Sequence, residues 1–457
     1  MSRARAFRRG ARRRSWPAVT LIAIAAMLAT PPADALDLLQ GFHLALRQDA
    51  AYQASRAQTE ASREAVPQAF AQLLPNVSMS LARSRNSTDR DSQNAFGQTV
   101  SDSYDYTSSN YVLTLRQPIY RKYNFAQYRQ AQSQVESADA AFDTSTQDLL
   151  VRLATAYFEA LMAQDQYGLV QAQKEAYDQQ LQGARRALAA GQGTRTDIDD
   201  AEARYDMLLA QELEAQQNLG FTKRQLQTIV NEPVEYLSLL DSGRMLLQAP
   251  QPASAEEWIA RGESVNPELR ALRANIAAAR QELEKARAGH LPTVDLVAQA
   301  SNSRSENNVS INTRYETTQI GVQVVVPLFA GGYTVSQTRQ AIANIDKFEQ
   351  QYEARRREIA MQIRKEFQSI SEGVLKVRAM ERAERSADQA VFSNQKGFQA
   401  GTRSQVDILN AQQQRMNVRR DLASARYQYI LARVRLKALV GELDEAEIAS
   451  INGWLSR

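Results

Sequence analysis

The chain of 457 residues holds no cysteine, two histidines and 12 prolines, with 44% apolar but only 7% aromatic residues. The lack of cysteine rules out disulfide frameworks, thiolate metal sites, cysteine nucleophiles and a lipidated N-terminal cysteine, and His43 and His290 lie too far apart in sequence to suggest a metal centre. A mean hydropathy of -0.47 argues against a polytopic helical membrane protein.

The formal charge of +4 is carried by the first residues. Arg3, Arg5, Arg8, Arg9, Arg12, Arg13 and Arg14 precede an apolar run from Ala18 to Ala29, followed by Ala33-Asp34-Ala35, a small-x-small cleavage signal. This is the pattern of a secretory signal peptide over residues 1–35, with an apolar run too short to span a bilayer. Cleavage after Ala35 takes seven arginines and Asp34 from the 55 basic and 51 acidic residues, leaving 48 and 50. The mature chain is therefore nearly neutral and gives no argument for nucleic acid.

Past an N-terminal helical stretch, two segments alternate with period two, near residues 76–84 and 110–118. Val77, Met79 and Leu81 alternate with small or polar neighbours, as do Tyr111, Leu113 and Leu115. The polar connection Asn86 to Asn110, rich in Ser, Asn, Asp and Thr, reads as an exposed loop. Then comes a run of 114 residues without proline between Pro118 and Pro233, rich in Ala, Gln, Glu, Arg and Leu, as long helices require. Leu149, Leu153, Ala156, Ala160, Ala163, Tyr167 and Val170 step alternately by 4 and 3, a coiled-coil seam. Gly191-Gln192-Gly193 breaks the run, and a second helix continues to about residue 230.

The same order then returns. Val294, Leu296, Ala298 and Ala300 alternate near 293–301, and Ile320, Val322, Val324 and Val326 near 318–327. A run of 130 residues without proline follows Pro327, broken at Gly401, and Val418, Leu422, Ala425, Tyr429, Ala432, Leu436 and Leu439 repeat the seam. Leu74-Pro75-Asn76-Val77 matches Leu291-Pro292-Thr293-Val294, and Ala190-Gly191 with Asp197-Ile198 matches Ala400-Gly401 with Asp407-Ile408. One unit is used twice, over 36–250 and 251–457.

Four strands with one apolar face suit the wall of a transmembrane β-barrel, although a soluble sheet with one wet face alternates in the same way. The export signal and the lack of apolar spans favour the membrane. Four strands cannot close a barrel, and lipid tolerates no open sheet edge, so the membrane reading itself requires subunits to pool strands.

Two repeats of strand, strand, long helix and second helix resemble the TolC family of outer-membrane channel-tunnels. The resemblance spans essentially the whole mature chain and rests on Ala154-Thr155-Ala156-Tyr157-Phe158, Gln173-Lys174-Glu175-Ala176, Gly289-His290-Leu291-Pro292-Thr293, Gly401-Thr402-Arg403 through Val406-Asp407, and Ala425-Arg426-Tyr427-Gln428-Tyr429. It implies an α+β membrane protein, a homotrimer with a 12-stranded β-barrel continuous with a long α-helical barrel. An equatorial belt comes from about Asn231 to Glu263 and the tail after Gly441. It further implies an outer-membrane location in a Gram-negative cell, contact with outer-membrane lipids, and partnership with an inner-membrane transporter, ABC-type or proton-driven, and a periplasmic membrane-fusion adaptor. The missing anchor cysteine looks more like the type I secretion branch than the lipidated drug-efflux branch.

Such a duct conducts and gates without cofactor or covalent chemistry. By the resemblance, the periplasmic gate groups are Thr196, Asp197, Arg403 and Asp407. The Arg403 guanidinium offers a planar fork to Asp197 or Thr196 across helices, and Asp407 forms a carboxylate ring whose mutual repulsion raises its pKa and attracts cations. Two positions depart from the pattern: Phe398 stands where a gate tyrosine is expected, and Asn410 where a second aspartate ring is expected. A weaker lock and weaker cation binding follow. On their residues alone, Thr194-x-x-Asp197 and Ser404-x-x-Asp407 read as capping boxes, a role compatible with gating. A periplasmic coiled-coil adaptor or scaffold outside the membrane is the competing function. For an enzyme there is no nucleophile–base pair, metal cluster or nucleotide loop.

Overall fold

The computed structural model describes residues 35–456, so the export signal read in residues 1–35 lies, Ala35 apart, outside the described residues. Helices α1 (Leu38–Gln48), α2 (Ala50–Arg63) and α3 (Ala65–Ala71) lead into strands β1 (Asn76–Gln93) and β2 (Thr99–Tyr120). These pass into α4 (Lys122–Ala189) and α5 (Arg195–Val230). The second copy runs α6 (Ala255–Val265), α7 (Pro267–Ala288), β3 (Thr293–Arg304), β4 (Arg314–Val325), α8 (Tyr333–Gln399) and α9 (Gln405–Leu439), followed by α10 (Glu445–Asn452).

The proline-free runs are single helices. α4 has 68 residues and α8 has 67, each about 100 Å long at ~1.5 Å per residue. Shorter helices stack end to end beside them, so the wall is four helices wide at two levels. In the half nearer the sheet, α2 and α3 lie on α4, with Ser55 donating to Ser145 at 2.8 Å and Arg63 paired to Asp139 at 2.8 Å. There α7 bridges α4 and α8, with Gln130 donating to Glu282 at 2.8 Å and Arg280 paired to Glu349 at 3.0 Å. In the far half α5 and α9 take these places. No helix among the described residues is long and apolar enough to cross a membrane.

The core sits where the two levels meet. Leu149, Leu153, Tyr157, Phe158 and Leu161 of α4 are fully buried in a core shared with α1, the irregular segment 231–254, the C-terminal third of α9, and α10. Two tyrosines hold that irregular segment through its backbone. The Tyr157 hydroxyl reaches the carbonyls of Leu36 and Ser238 at 3.0 and 3.1 Å, and the Tyr429 hydroxyl donates to the Gln248 carbonyl at 2.9 Å. Short bridges, Leu36 to Leu237 and Leu240 to Leu455, tie both ends of the described chain to the same belt.

The four strands form one antiparallel sheet in the order β1-β2-β3-β4, with β1 and β4 at its edges. β1 and β2 run further than the alternation predicts. Most of the Asn86–Asn110 segment, read from composition as a loop, is a paired two-stranded ribbon. Its side chains are polar on both faces, which hides the period of two, while the turn still sets the register. Asn94 Oδ1 accepts from the amides of Phe96 and Gln98, and Gly97 takes φ 76, a conformation that a side chain would strain. β4 ends at Val325, one residue before the last apolar member of the predicted strand.

Candidate functional site: a conducting wall and its tip

Directly paired residues share a face of an antiparallel sheet, so the register sorts the strand side chains. On one face the row Val77–Leu115–Ala298–Ile320 is apolar throughout, flanked by Met79–Leu113–Ala300–Thr318 and Leu296–Val322. The other face carries Ser78–Thr114–Gln299–Gln319, with Gln319 donating to Gln299 at 3.4 Å. The apolar face lies open in the protomer: Met79 is 66% exposed and Ile320 74%. At the helix end, Pro118 and Tyr120 break the register, and Arg121 pairs with the buried Asp295 carboxylate, Nε to Oδ1 at 2.8 Å. This pair fixes the junction of sheet and helices.

The opposite end of the wall is two helical turns built alike. α4 and α8 both end on a glycine at φ 73, Gly191 and Gly401. In one turn the Gln192 amide reaches the Ala187 carbonyl and the Gly191 amide that of Leu188; in the other Thr402 reaches Gly397 and Gly401 reaches Phe398, all at 2.9–3.0 Å. This paired pattern satisfies the last carbonyls of each helix and needs the left-handed glycine. Thr194 and Ser404 then cap α5 and α9, and each accepts from the amide of the aspartate three residues on, at 3.2 Å. The capping boxes read from the sequence are thus formed.

The gate candidates divide accordingly. The Asp407 carboxylate accepts from the Ser404 amide at 2.8 Å and hydroxyl at 2.9 Å. These bonds, the backbone one foremost, hold it below the usual carboxylate range, the reverse of the rise expected from a ring of like charges. Within one protomer the cap dominates because only one carboxylate is present. Asp197 is bound in the same way by Thr194, and it lines with Phe398 a cavity of about 490 Å³ between the two turns. Arg403 and Thr196 are exposed, and among the described residues neither makes a side-chain hydrogen bond to Asp197 or to the other. The Arg403 stem instead lies over Gly397, where an added Cβ would stand 2.6 Å from Arg403 Cγ. Asn410 accepts from Arg204 Nη2 at 2.9 Å, tying α9 to α5. Arg204 was missed from sequence, since a lone arginine on a helix carries no signal until its partner helix is known.

Between tip and belt, α4 and α9 are joined by polar side chains. Gln173 donates to Gln413 and Gln180 to Gln412, each at 2.9 Å. Tyr427 donates to Asp165 at 2.6 Å. Burial raises the Asp165 carboxyl above its ordinary value, and burial beside this carboxylate pushes the Tyr427 phenol up as well.

The outer membrane efflux protein family model matches residues 42–232 and 258–442, one stretch for each repeat. The chain belongs to this family. It is 37% identical over 423 residues to the alkaline protease secretion protein AprF of Pseudomonas aeruginosa, covering 92% of this chain and 88% of that one. It is 33% identical over 441 residues to the proteases secretion protein PrtF of Dickeya chrysanthemi, covering 95% and 94%. The fold is that of the outer membrane protein VceC from Vibrio cholerae, with a TM-score of 0.77 at 18% identity over 89% of this chain and 97% of that one. The family is one of TolC-like outer-membrane channels, in which the sheet lies in the membrane and the helices in the periplasm. The competing reading as a soluble periplasmic scaffold finds no support.

Proposed function

We propose that three copies of this chain form an export duct that carries protein cargo from an ABC-type inner-membrane transporter and its periplasmic adaptor across the outer membrane. The observation that carries this reading is the sheet: its apolar face is exposed or half-buried, with no member buried, and both its edges are open. Lipid accepts the first and forbids the second, so strands must be pooled; three copies of a four-stranded sheet give twelve, the family's barrel. Protein cargo is favoured over small molecules because the two relatives described above are named for protease secretion.

The gate in this reading is the pair of turns. Arg403 of one protomer reaches Asp197 and Thr196 of the next, since among the described residues of its own chain it bonds neither, and Asp407 supplies the ring of carboxylates. Phe398 contributes packing without a hydrogen bond, and Asn410 spends its side chain on Arg204, which leaves one ring where two are expected. The test is insertion of detergent-extracted protein into planar bilayers. Uniform cation-selective openings from a trimer are expected; folded protein that never conducts would overturn the duct.

A further inference from the structure

The lipid-side face of the sheet ends, at its hairpin end, on arginine. Beyond the apolar rows comes Leu81–Tyr111–Asn302–Glu316, and beyond that Arg83–Ser109–Arg304–Arg314, with Arg85–Thr107 one step further on the ribbon. From the Val294–Val324 row to the arginine row is ten residues along a strand, about 34 Å, or about 26 Å once tilted as barrel strands are, close to the height of a barrel's apolar band. The arginines therefore stand just outside the apolar band. At the same level the opposite face is uncharged, Ala82–Asn110–Ser303–Tyr315, and Arg116, with Asn76, Val297 and Gly321, lies on that opposite face at the helix end.

Arg83, Arg85, Arg304 and Arg314 are all exposed. Arg314 pairs with Glu316, which also accepts from Asn302 at 3.2 Å. Among the described residues, Arg83, Arg85 and Arg304 have no carboxylate partner. The next acidic groups on this face, Asp105, Asp89 and Asp91, come only further out along the ribbon. Three unpaired guanidinium groups at a membrane boundary are complementary to phosphate, which each can grip with two parallel hydrogen bonds.

We propose that this arginine row holds a phosphorylated anionic lipid of the outward-facing leaflet, and so seats the barrel at a fixed depth. The proposal rests on the sheet being a barrel wall in the outer membrane. Each barrel presents the row once per protomer.

The test is native mass spectrometry of the detergent-extracted trimer titrated with diphosphoryl lipid A or with phosphatidylcholine, alongside planar-bilayer recordings of the same preparations. Wild type is expected to retain lipid A about tenfold better than phosphatidylcholine. R83Q/R85Q/R304Q is expected to lose that preference while opening the same pores, and R116Q to keep it. Inorganic phosphate at matched concentration is expected not to displace the lipid. Equal retention of the two lipids by wild type overturns the proposal whether or not the triple variant folds. Unchanged preference in a conducting triple variant, or full displacement by inorganic phosphate, does so as well, and each leaves the duct standing. Folded wild type that never conducts removes the duct and the lipid site together.

Discussion

The belt and the tip are held by different means, although α4 and α9 run through both. At the belt, one continuous apolar core joins α1, α4, the segment 231–254, α9 and α10, and Tyr157, Phe158 and Leu161 are wholly buried. Towards the tip, among the described residues, only small clusters remain: Val377, Leu422 and Ala425 at the edge of the belt, then Val170, Tyr177, Leu208, Ala215 and Leu409, then Leu181, Ala184, Ile198 and Ala201. The contacts there are glutamine pairs and exposed ion pairs such as Arg185–Glu202 at 3.3 Å. Exposed pairs contribute little net stability and break readily, whereas a packed core is bistable only at high cost. The molecule is thus fixed at its waist and left movable at the end proposed to open.

That contrast can be broken by cutting each region. Leu153→Ala at the belt is expected to cost about 3 kcal/mol of stability, read as a lower midpoint in thermal unfolding of the extracted protein, and Ile198→Ala at the tip about 2. Equal losses would erase the distinction. Gly401→Ala forces a side chain into the left-handed region and is expected to cost about 1–2 kcal/mol, with larger openings in bilayers. Ser404→Ala removes a cap, costing about 1 kcal/mol, and releases Asp407.

The sign of the pH effect follows from that cap. Because Asp407 sits below its ordinary value in the folded protein, the stability linked to it is present above the unfolded pKa and lost as pH falls through the lower folded one. Removing the cap takes away bonds that favour the charged form, so the Asp407 contribution to cation selectivity should fade at higher pH in Ser404→Ala than in wild type, a shift measurable from reversal potentials. The smallest stability change is expected from Arg204→Ala, within about 1 kcal/mol, because the Arg204–Asn410 bond is exposed. Asn410→Asp sharpens the same point: a second ring should tighten block by a trivalent cation, and block no tighter than wild type would deny Asn410 a place in the pore.

The long helices were legible because a coiled-coil seam is a local pattern. Leu149, Leu153, Ala156, Ala160 and Ala163 are buried as their spacing requires, and so are Leu422, Ala425, Tyr429, Ala432 and Leu436. The apolar strand cores were legible for the same reason. The ribbon beyond Asn86 was not, since a two-stranded element polar on both faces leaves no periodic trace. The tip candidates could be placed on their turns by motif, and the capping boxes at Asp197 and Asp407 by spacing. Their partners could not, because Arg204 meets Asn410, and Phe398 shares a cavity with Asp197, only once four helices are packed. The two tyrosines that grip the belt belong to quoted motifs, yet their hydroxyls bind main-chain carbonyls, which no side-chain pattern reveals.

In the proposed duct the pore closes where the turns of neighbouring protomers meet. The chain has no cysteine, so D197C/R403C introduces the only thiols. Single-channel conductance of this variant should be low under oxidising conditions, with covalent trimers on a denaturing gel, and should rise on reduction to a level above that of wild type. Covalent trimers that conduct equally in both states would contradict a gate at the tip.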